Sequence, residues 1–201
     1  MDVVDLYRRT LAEFTDRIRQ VGPDQWSDLT PCTDWDVRAL VNHVVGEDRW
    51  TAPMFAGAKI AEVVEAEPAL GHDATDPAGD LLGDDPVANA LTAAAEAETA
   101  VTAPAALERV VHLSFGDTPA EEYVRQLAAD HLIHAWDLAV ATGADPTMDE
   151  AAVRACADWF AGREHLYRQS GAIGPAAEVP PTASEQDRLL AAFGRNPAWT
   201  P

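Results

Sequence analysis

Asp130 and His134 stand four residues apart in the stretch AADHLIHAWDLAVATG, and His43 stands in an earlier stretch, DWDVRALVNHVVGEDRW. On a helix, a spacing of four places two side chains one turn apart on the same face. A carboxylate and an imidazole so placed can hold one divalent metal ion between them, and His43 on a second helix would supply a third ligand. Three protein ligands with an open position are typical of a reactive metal site rather than a closed structural one.

Two alternatives compete with this metal site on spacing alone. The first is an Asp130–His134 hydrogen bond that closes one end of the fold, because buried polar groups usually find protein partners. The second uses His131, which lies near the same helix face and forms an HxxH pair with His134. The spacing leaves both alternatives open.

Two acidic residues could support a metal site at these positions. Glu47 follows His43 by one helical turn and is either a further ligand, a base that moves a proton, or simply an exposed acid. Asp137 follows His134 by three residues. It either orients a ligand histidine through the second ring nitrogen or forms a local cap or salt bridge.

Trp35 and Trp136 are the aromatic residues expected to line a pocket beside the metal. Trp35 could instead pack at the start of the second helix. Cys32 precedes that helix and has no histidine beside it in the sequence, so we expect an inert thiol rather than a nucleophile. The motifs GxGxxG, GxxxxGK[ST], HExxH and GxSxG are absent, so nucleotide cofactors and serine-hydrolase chemistry have no support.

The elements that must position these residues are helices. Apolar residues recurring at spacings of three and four predict helices over 2–21, 34–50, 86–101, 118–142 and 149–168, with a short helix within 184–194. Thr33 is the expected N-cap of the second helix, and Thr118 with Pro119 is expected to open the fourth. Residues 67–85 read as a long loop, the second helix could continue as a separate piece past Pro53, and 109–115 read as a short extended segment.

These elements predict an all-α fold, a four-helix bundle with an additional helix and a short C-terminal extension. We expect residues 1–170 to form the metal-binding bundle and residues 171–201 to pack on the same domain. The net charge of −20 and the pI near 4.4 disfavour nucleic acid and anionic membranes as partners. With two cysteines, no leader pattern and no long apolar run, a cytoplasmic protein is expected.

Three segments carry a family resemblance: LTPCTDWDVRALVNHVVGEDRW, HLSFGDTPAEEYVRQLAADHLIHAWDLAVATG and LLAAFGRNPAW. They resemble the DinB/YfiT-like metal-binding superfamily, in the actinobacterial branch related to the N-terminal domain of mycothiol-dependent maleylpyruvate isomerase. The resemblance implies a bundle with a divalent metal in a pocket near one end. It assigns the ligands to His43, Asp130 and His134.

The resemblance also implies chemistry with a low-molecular-weight thiol of the mycothiol type on a small-molecule substrate. Zinc is the metal favoured by two imidazoles and a carboxylate, and nickel or another divalent ion could take its place. The extension 171–201 is too short to supply a second catalytic domain, so we expect a thiol transferase or an isomerase-like enzyme rather than the isomerase itself. The alternative is a non-enzymatic metal or small-ligand binding protein of stress response or detoxification. A monomer or a homodimer is expected.

Overall fold

The computed structural model describes residues 1–201 and consists mainly of helices. Its elements are, in chain order, α1 (Val3–Ile18), α2 (Val37–Phe55), α3 (Ile60–Ala66), α4 (Pro86–Val101), β1 (Val110–Leu113), β2 (Gly116–Pro119), α5 (Ala120–Thr142), α6 (Glu150–Phe160), α7 (Glu164–Ser170) and α8 (Glu185–Ala192). None of the helices combines the length and the apolar character that a bilayer crossing requires.

Helices α1, α2, α4 and α5 form the bundle that the sequence predicts. Each packs against two of the others: α1 contacts α5 and α4, and α2 contacts α4 and α5. The apolar periodicity of α1 explains its place, because its buried residues all lie on one stripe. These include Leu6, Tyr7, Leu11, Phe14 and Ile18. The stripe faces α5, which is buried along most of its length.

Small side chains on α5 allow its neighbours to approach it closely. Ala128, Ala135 and Ala139 are each fully buried, and the longer apolar residues of the same helix fill the remaining core. A buried helix is a demanding place for polar groups, because each must find a partner to offset its lost hydration. The buried polar residues of α5 are therefore the positions at which a functional site is expected.

The start of α2 differs from the sequence prediction. Thr33 was the expected N-cap, but the cap is Asp36, whose side chain accepts a hydrogen bond from the Ala39 amide at 2.8 Å. Asp34 has a φ of 69°, a left-handed conformation that cannot belong to a helix, so the helix cannot begin before it. Pro53 lies within α2, and the helix continues past it to Phe55.

A two-stranded antiparallel hairpin corrects the all-α prediction. Strands β1 and β2 pair with Val110 opposite Pro119 and Leu113 opposite Gly116. The extended segment expected near 109–115 is therefore the first strand of this hairpin. Thr118, expected to cap the fourth helix, belongs to β2, and α5 begins at Ala120. The hairpin forms because Val111 is completely buried and anchors the first strand to the core.

The predicted fifth helix, 149–168, is two helices. α6 ends at Phe160 and α7 begins at Glu164, with Gly162 between them at a φ of 78°. A left-handed residue ends the α-helical hydrogen-bond pattern, and glycine adopts it without a steric cost. Helix α8 then packs on α6, so the chain beyond residue 171 returns to the bundle.

Candidate metal centre

Helix α5 holds Asp130 and His134 one turn apart, as the sequence predicts. The Oδ1 atom of Asp130 lies 3.3 Å from Nε2 of His134. The Asp130 side chain is 31% exposed and that of His134 is 7% exposed, so the pair lies at the edge of the core and opens outward on the Asp130 side. One carboxylate oxygen and one ring nitrogen therefore point to the same small volume.

His43 reaches this volume from α2. Its Nε2 atom lies 3.6 Å from Oδ2 of Asp130, and its ring stands edge-on to that of His134 at a centroid distance of 5.2 Å. One ligand atom from each of the three residues lies within 4.8 Å of the other two. The structure thus brings together all three residues that the sequence singled out as metal ligands, although His43 and Asp130 are 87 positions apart in the chain.

The second carboxylate oxygen of Asp130 is the atom that most needs a partner. Asp130 Oδ2 is buried and accepts no hydrogen bond, although a buried polar atom without a partner is costly. Burial opposes ionisation of this carboxyl, but the charges of His134 and His43 hold the Asp130 pKa well below its ordinary value. The same pairing raises the pKa of His134 against the opposing effect of burial. The site is therefore an ionised carboxylate that lacks a full set of donors.

A second cluster lies on the other side of the His134 ring. Asp137 is fully buried, and its Oδ2 atom lies 3.0 Å from Nδ1 of His134. Cys32 Sγ lies 3.2 Å from the same carboxylate oxygen and 3.8 Å from Nδ1 of His134. Arg195 completes the cluster, with Nη2 donating to Asp137 Oδ2 at 2.8 Å and to Cys32 Sγ at 3.1 Å.

The two clusters share His134 but differ in whether they contain a guanidinium. Cys32, His134 and Asp137 are also spaced closely enough to hold a metal ion. However, the Arg195 guanidinium already neutralises Asp137 there: burial raises the pKa of this carboxyl, but Arg195 and His134 outweigh that effect and leave the Asp137 pKa below its ordinary value. The cluster around Asp130 contains no guanidinium, and Asp130 is paired only with the two histidines. Of the two, the His43–Asp130–His134 cluster is the one whose donors fit an added divalent ion.

Two cavities flank the candidate site. The larger has a volume of about 830 Å³, and Cys32 and Trp35 form part of its wall. The smaller has a volume of about 170 Å³ and is lined by His43 and Glu47 among others. Asn42 and Ala74 line both, so the two cavities are neighbours.

Comparison with known proteins identifies the family of the chain. The family model described as the mycothiol maleylpyruvate isomerase N-terminal domain matches residues 7–139, a span that contains His43, Asp130 and His134. The chain belongs to this family. Its curated relatives include the uncharacterized protein MT0763 of Mycobacterium tuberculosis (strain CDC 1551 / Oshkosh) and the uncharacterized protein Rv0738 of strain ATCC 25618 / H37Rv. Each is 30% identical over 97% of this chain and 98% of the relative.

Solved structures show the same fold. Crystal structures of the mycothiol-dependent maleylpyruvate isomerase and of a histidine-to-alanine mutant of it are 17% identical to this chain, with TM-scores of 0.54 and 0.56. In both cases the match covers 76% of this chain and 65% of the solved chain. The chain therefore spans just under two thirds of the solved isomerase. Membership of the maleylpyruvate isomerase N-terminal domain family confirms the resemblance on which the ligand assignment rests.

Of the residues that the sequence proposed for a pocket beside the metal, two lie next to the candidate ligands and one lies in the core. Trp35 lies against the site, with its ring 4.8 Å from that of His43 and 6.0 Å from that of His134 between centroids. Glu47 is partly buried beside His43, and burial raises the pKa of its carboxyl against the opposing charge of the histidine. Trp136 is instead 3% exposed and packs in the hydrophobic core, so it lines neither of these cavities.

His131 turns away from the candidate ligands. Its Nε2 atom lies 3.0 Å from Oδ1 of Asp48, and both side chains are almost completely buried. Its ring packs near Tyr7 and Phe14 of α1. A shift of three residues from His134 is enough to direct the side chain to a different neighbour. The HxxH pair is therefore not brought together at one point.

Sequence reasoning missed two residues of the site. Cys32 was expected to be inert because no histidine adjoins it in the chain, yet folding places His134 Nδ1 3.8 Å from its sulfur. Arg195 is the second, and it belongs to LLAAFGRNPAW, one of the three segments that carry the family resemblance. A lone arginine in a polar tail gives no local signal, and only its position in that segment could have indicated it.

Proposed function

We propose that this protein is a divalent-metal-dependent enzyme that uses a low-molecular-weight thiol of the mycothiol type in a transfer or isomerisation reaction on a small molecule. The observation that carries the proposal is the convergence of His43 Nε2, Asp130 and His134 Nε2 around a buried carboxylate oxygen without a hydrogen-bond partner. Two imidazoles and a carboxylate suit zinc, and nickel is the main substitute. When bound, such an ion lowers the pKa of a coordinating thiol and stabilises the thiolate.

The residues around the ligands have separate tasks in this proposal. Asp137 accepts a hydrogen bond from Nδ1–H of His134 and so leaves Nε2 free to bind the ion. Glu47, a partly buried carboxyl with a raised pKa at the wall of the smaller cavity, is placed to hold or release a proton. Trp35 shields the histidine rings on the side of the larger cavity.

The larger cavity is suited in size and lining to a small organic ligand. Its volume of about 830 Å³ falls within the roughly 300–1,000 Å³ of typical ligand pockets. The walls carry many hydroxyl and carboxylate groups together with Trp35 and Trp199, so a polar thiol body with apolar edges would fit them. We infer that the body of the thiol occupies this cavity while its sulfur approaches the His43 side.

A non-enzymatic metal-binding protein is the second candidate. The smaller cavity at His43 measures about 170 Å³, less than the roughly 300 Å³ at which typical ligand pockets begin. Such a space accepts a metal ion and one small ligand more readily than a metal ion and two reactants. In that case, the protein would bind a metal or a small thiol without catalysing a transfer.

Metal analysis and cobalt spectroscopy distinguish the enzyme from the non-enzymatic metal-binding protein. Protein purified without a histidine tag is expected to contain about one zinc or other divalent ion per chain. After replacement by cobalt, adding mycothiol or free cysteine should produce a sulfur-to-cobalt charge-transfer band, because the open position takes a thiolate. The His43→Ala variant is the control and should show neither cobalt loading nor the band.

Each outcome has a distinct meaning. Full cobalt loading without a band for any thiol would contradict thiol use and favour the metal-binding protein. A wild-type chain that binds no divalent ion at micromolar concentration would contradict the metal centre itself. A band together with turnover of mycothiol and an electrophile would support the enzyme.

A further inference from the structure

Arg195 is the residue of the C-terminal extension that contacts the site. Its side chain is 17% exposed, and its Nε atom donates to Asp137 Oδ1 at 3.0 Å while Nη2 donates to Oδ2 at 2.8 Å. This is a two-point contact between a guanidinium and a carboxylate, the geometry that fixes both groups most firmly. The remaining terminal nitrogen, Nη1, donates to the Phe193 carbonyl at 3.2 Å, which anchors the guanidinium to its own turn.

The backbone around Arg195 directs its side chain toward the bundle. Gly194 has a φ of 79°, and a Cβ atom there would come within 3.1 Å of the Pro175 carbonyl oxygen. Glycine therefore suits this turn on two grounds, the left-handed conformation and the close approach of the chain. The Arg195 amide then donates to the Leu190 carbonyl at 2.9 Å, which fixes the turn after α8.

The contacts of Asp137 with Arg195 and His134 form a continuous chain of hydrogen bonds. Arg195 holds both carboxylate oxygens, and the oxygen that it holds most closely, Oδ2, is also the one that lies 3.0 Å from His134 Nδ1. Asp137 is fully buried, so no water competes for these positions. The orientation of the His134 ring, and with it the direction of Nε2, thus depends on a residue 61 positions further along the chain.

We propose that Arg195 is a positioning residue for the metal centre: by holding Asp137 in one orientation it fixes the ring of His134 and so sets the affinity of the His43–Asp130–His134 site for a divalent ion. The inference rests on the proposed function, since it concerns the same site. It extends that function to the C-terminal extension, which lies beyond residues 7–139 that define the family match. The extension is then part of the metal centre and not only a cover for α6.

Arginine substitutions test this role against a purely structural one. Arg195→Gln removes the charge and the two-point contact, whereas Arg195→Lys keeps the charge and loses the planar contact. Arg168→Gln is the matched control, because Arg168 also ties the C-terminal part together, through the Ala192 carbonyl at 2.7 Å, but touches no residue of the centre. Zinc affinity is measured by competition with a chelator, and the thermal unfolding midpoint of the metal-free protein is measured alongside.

The expected result is a loss of zinc affinity of roughly 10- to 100-fold for Arg195→Gln, a smaller loss for Arg195→Lys and none for Arg168→Gln. The cobalt absorption bands of Arg195→Gln should also shift, because a misdirected imidazole alters the ligand field. The Arg195→Lys variant keeps the test valid if Arg195→Gln fails to fold.

A double-mutant cycle with Asp137→Asn decides whether Arg195 acts through Asp137. If it does, adding Arg195→Gln in the Asp137→Asn background lowers the affinity little further. Fully additive losses, or unchanged zinc affinity in Arg195→Gln with a lowered unfolding midpoint, would overturn the proposal while leaving the metal centre intact. A wild-type protein that binds no zinc would overturn both together.

Discussion

Asp130 is the residue whose environment is hardest to explain without an added cation. Its Oδ2 atom is buried and lacks a hydrogen-bond donor, and the nearest candidate, His43 Nε2, stands at 3.6 Å. By contrast, Asp137 on the same helix has Arg195 at 2.8 Å and His134 at 3.0 Å. Of two carboxylates seven residues apart, the chain thus supplies a guanidinium to the fully buried one and leaves the other to histidines.

The ligand assignment predicts different outcomes for three histidines. His43→Ala and His134→Ala should each abolish stoichiometric zinc binding, because either change leaves two ligands. His131→Ala should keep zinc, since its ring hydrogen-bonds to Asp48, but should destabilise the fold by roughly 1–3 kcal/mol because a buried carboxylate loses its partner. Equilibrium dialysis with elemental analysis gives the stoichiometry, and urea unfolding gives the stability.

The surface residue His112 provides the control for that experiment. It pairs with Asp117 on the hairpin at 2.7 Å and stands 40% exposed, so His112→Ala should change neither quantity appreciably. If His131→Ala lost the metal while His43→Ala kept it, the HxxH alternative would be correct and the assignment of His43 wrong.

At the scale of elements, helix periodicity located the bundle helices well. The predicted ranges 2–21 and 86–101 enclose or equal α1 and α4, because one apolar stripe and clear breakers define each. The starts of α2 and α5 were misplaced, because several residues near each start could act as caps, whereas the end of α5 at residue 142 was predicted correctly. The backbone conformation decides among them: Asp34 at a positive φ excludes an earlier start for α2, and pairing of Thr118 in β2 excludes it as a helix cap.

The observed cap of α2 gives a testable consequence. Asp36→Ala should lower the free energy of unfolding by about 0.5–2 kcal/mol, because the Ala39 amide loses its acceptor at the helix start. Asp85→Ala, which uncaps α4 at the Ala88 amide, should cost a similar amount. Chemical denaturation of the two variants and of Thr33→Ala measures these changes.

Thr33→Ala is the informative comparison, because the sequence alone favours Thr33 as the cap. Thr33 is exposed and lies outside α2, so its replacement should change stability by less than about 0.5 kcal/mol. A large loss for Thr33→Ala with none for Asp36→Ala would show that α2 starts earlier in solution than it does here.

At the scale of the whole molecule, the sequence predicted which helices carry the candidate ligands but not what surrounds them. His43, Asp130 and His134 follow from local spacing together with the family resemblance. The approach of Cys32 to His134, and of Arg195 to Asp137, joins residues 102 and 58 positions apart. Such contacts depend on how the loop before α2 and the turn after α8 fold over one end of the bundle, and no local pattern in the sequence reports this.

The acidity of the chain also acts on the whole molecule. With a net charge of −20, the protein attracts divalent cations over a distance and repels phosphate-rich partners. Of the two clusters whose atoms lie close enough to hold an ion, only His43–Asp130–His134 combines imidazole and carboxylate groups without a guanidinium, so long-range attraction and local chemistry favour a divalent cation at the same place. Surface acids alone would bind such ions weakly and without a fixed geometry.

Folding stability should depend on pH in opposite ways with and without metal. In the metal-free protein, burial lowers the pKa of His134, but the Asp130 charge outweighs this effect and raises that pKa above its unfolded value of 6.5. The folding stability that this raised pKa contributes is fully present below pH 6.5 and is lost as pH rises through the pKa of the folded protein. The depressed pKa of Asp130 adds stability that is present above its unfolded value and lost only as pH falls through the folded one.

Zinc must displace the proton from His134, so its affinity should increase as pH rises through the same window. Urea midpoints measured from pH 5 to 9 should therefore fall above about pH 6.5 in chelator-treated protein and rise when zinc is present. Titration of zinc into weakly buffered protein near pH 7 should release about one proton per ion bound. His134→Gln, which has no ring to titrate, should flatten the metal-free curve. A wild-type curve that is equally flat, with zinc affinity independent of pH, would mean that His134 is neutral before the metal arrives and that the ion pair with Asp130 does not exist in solution.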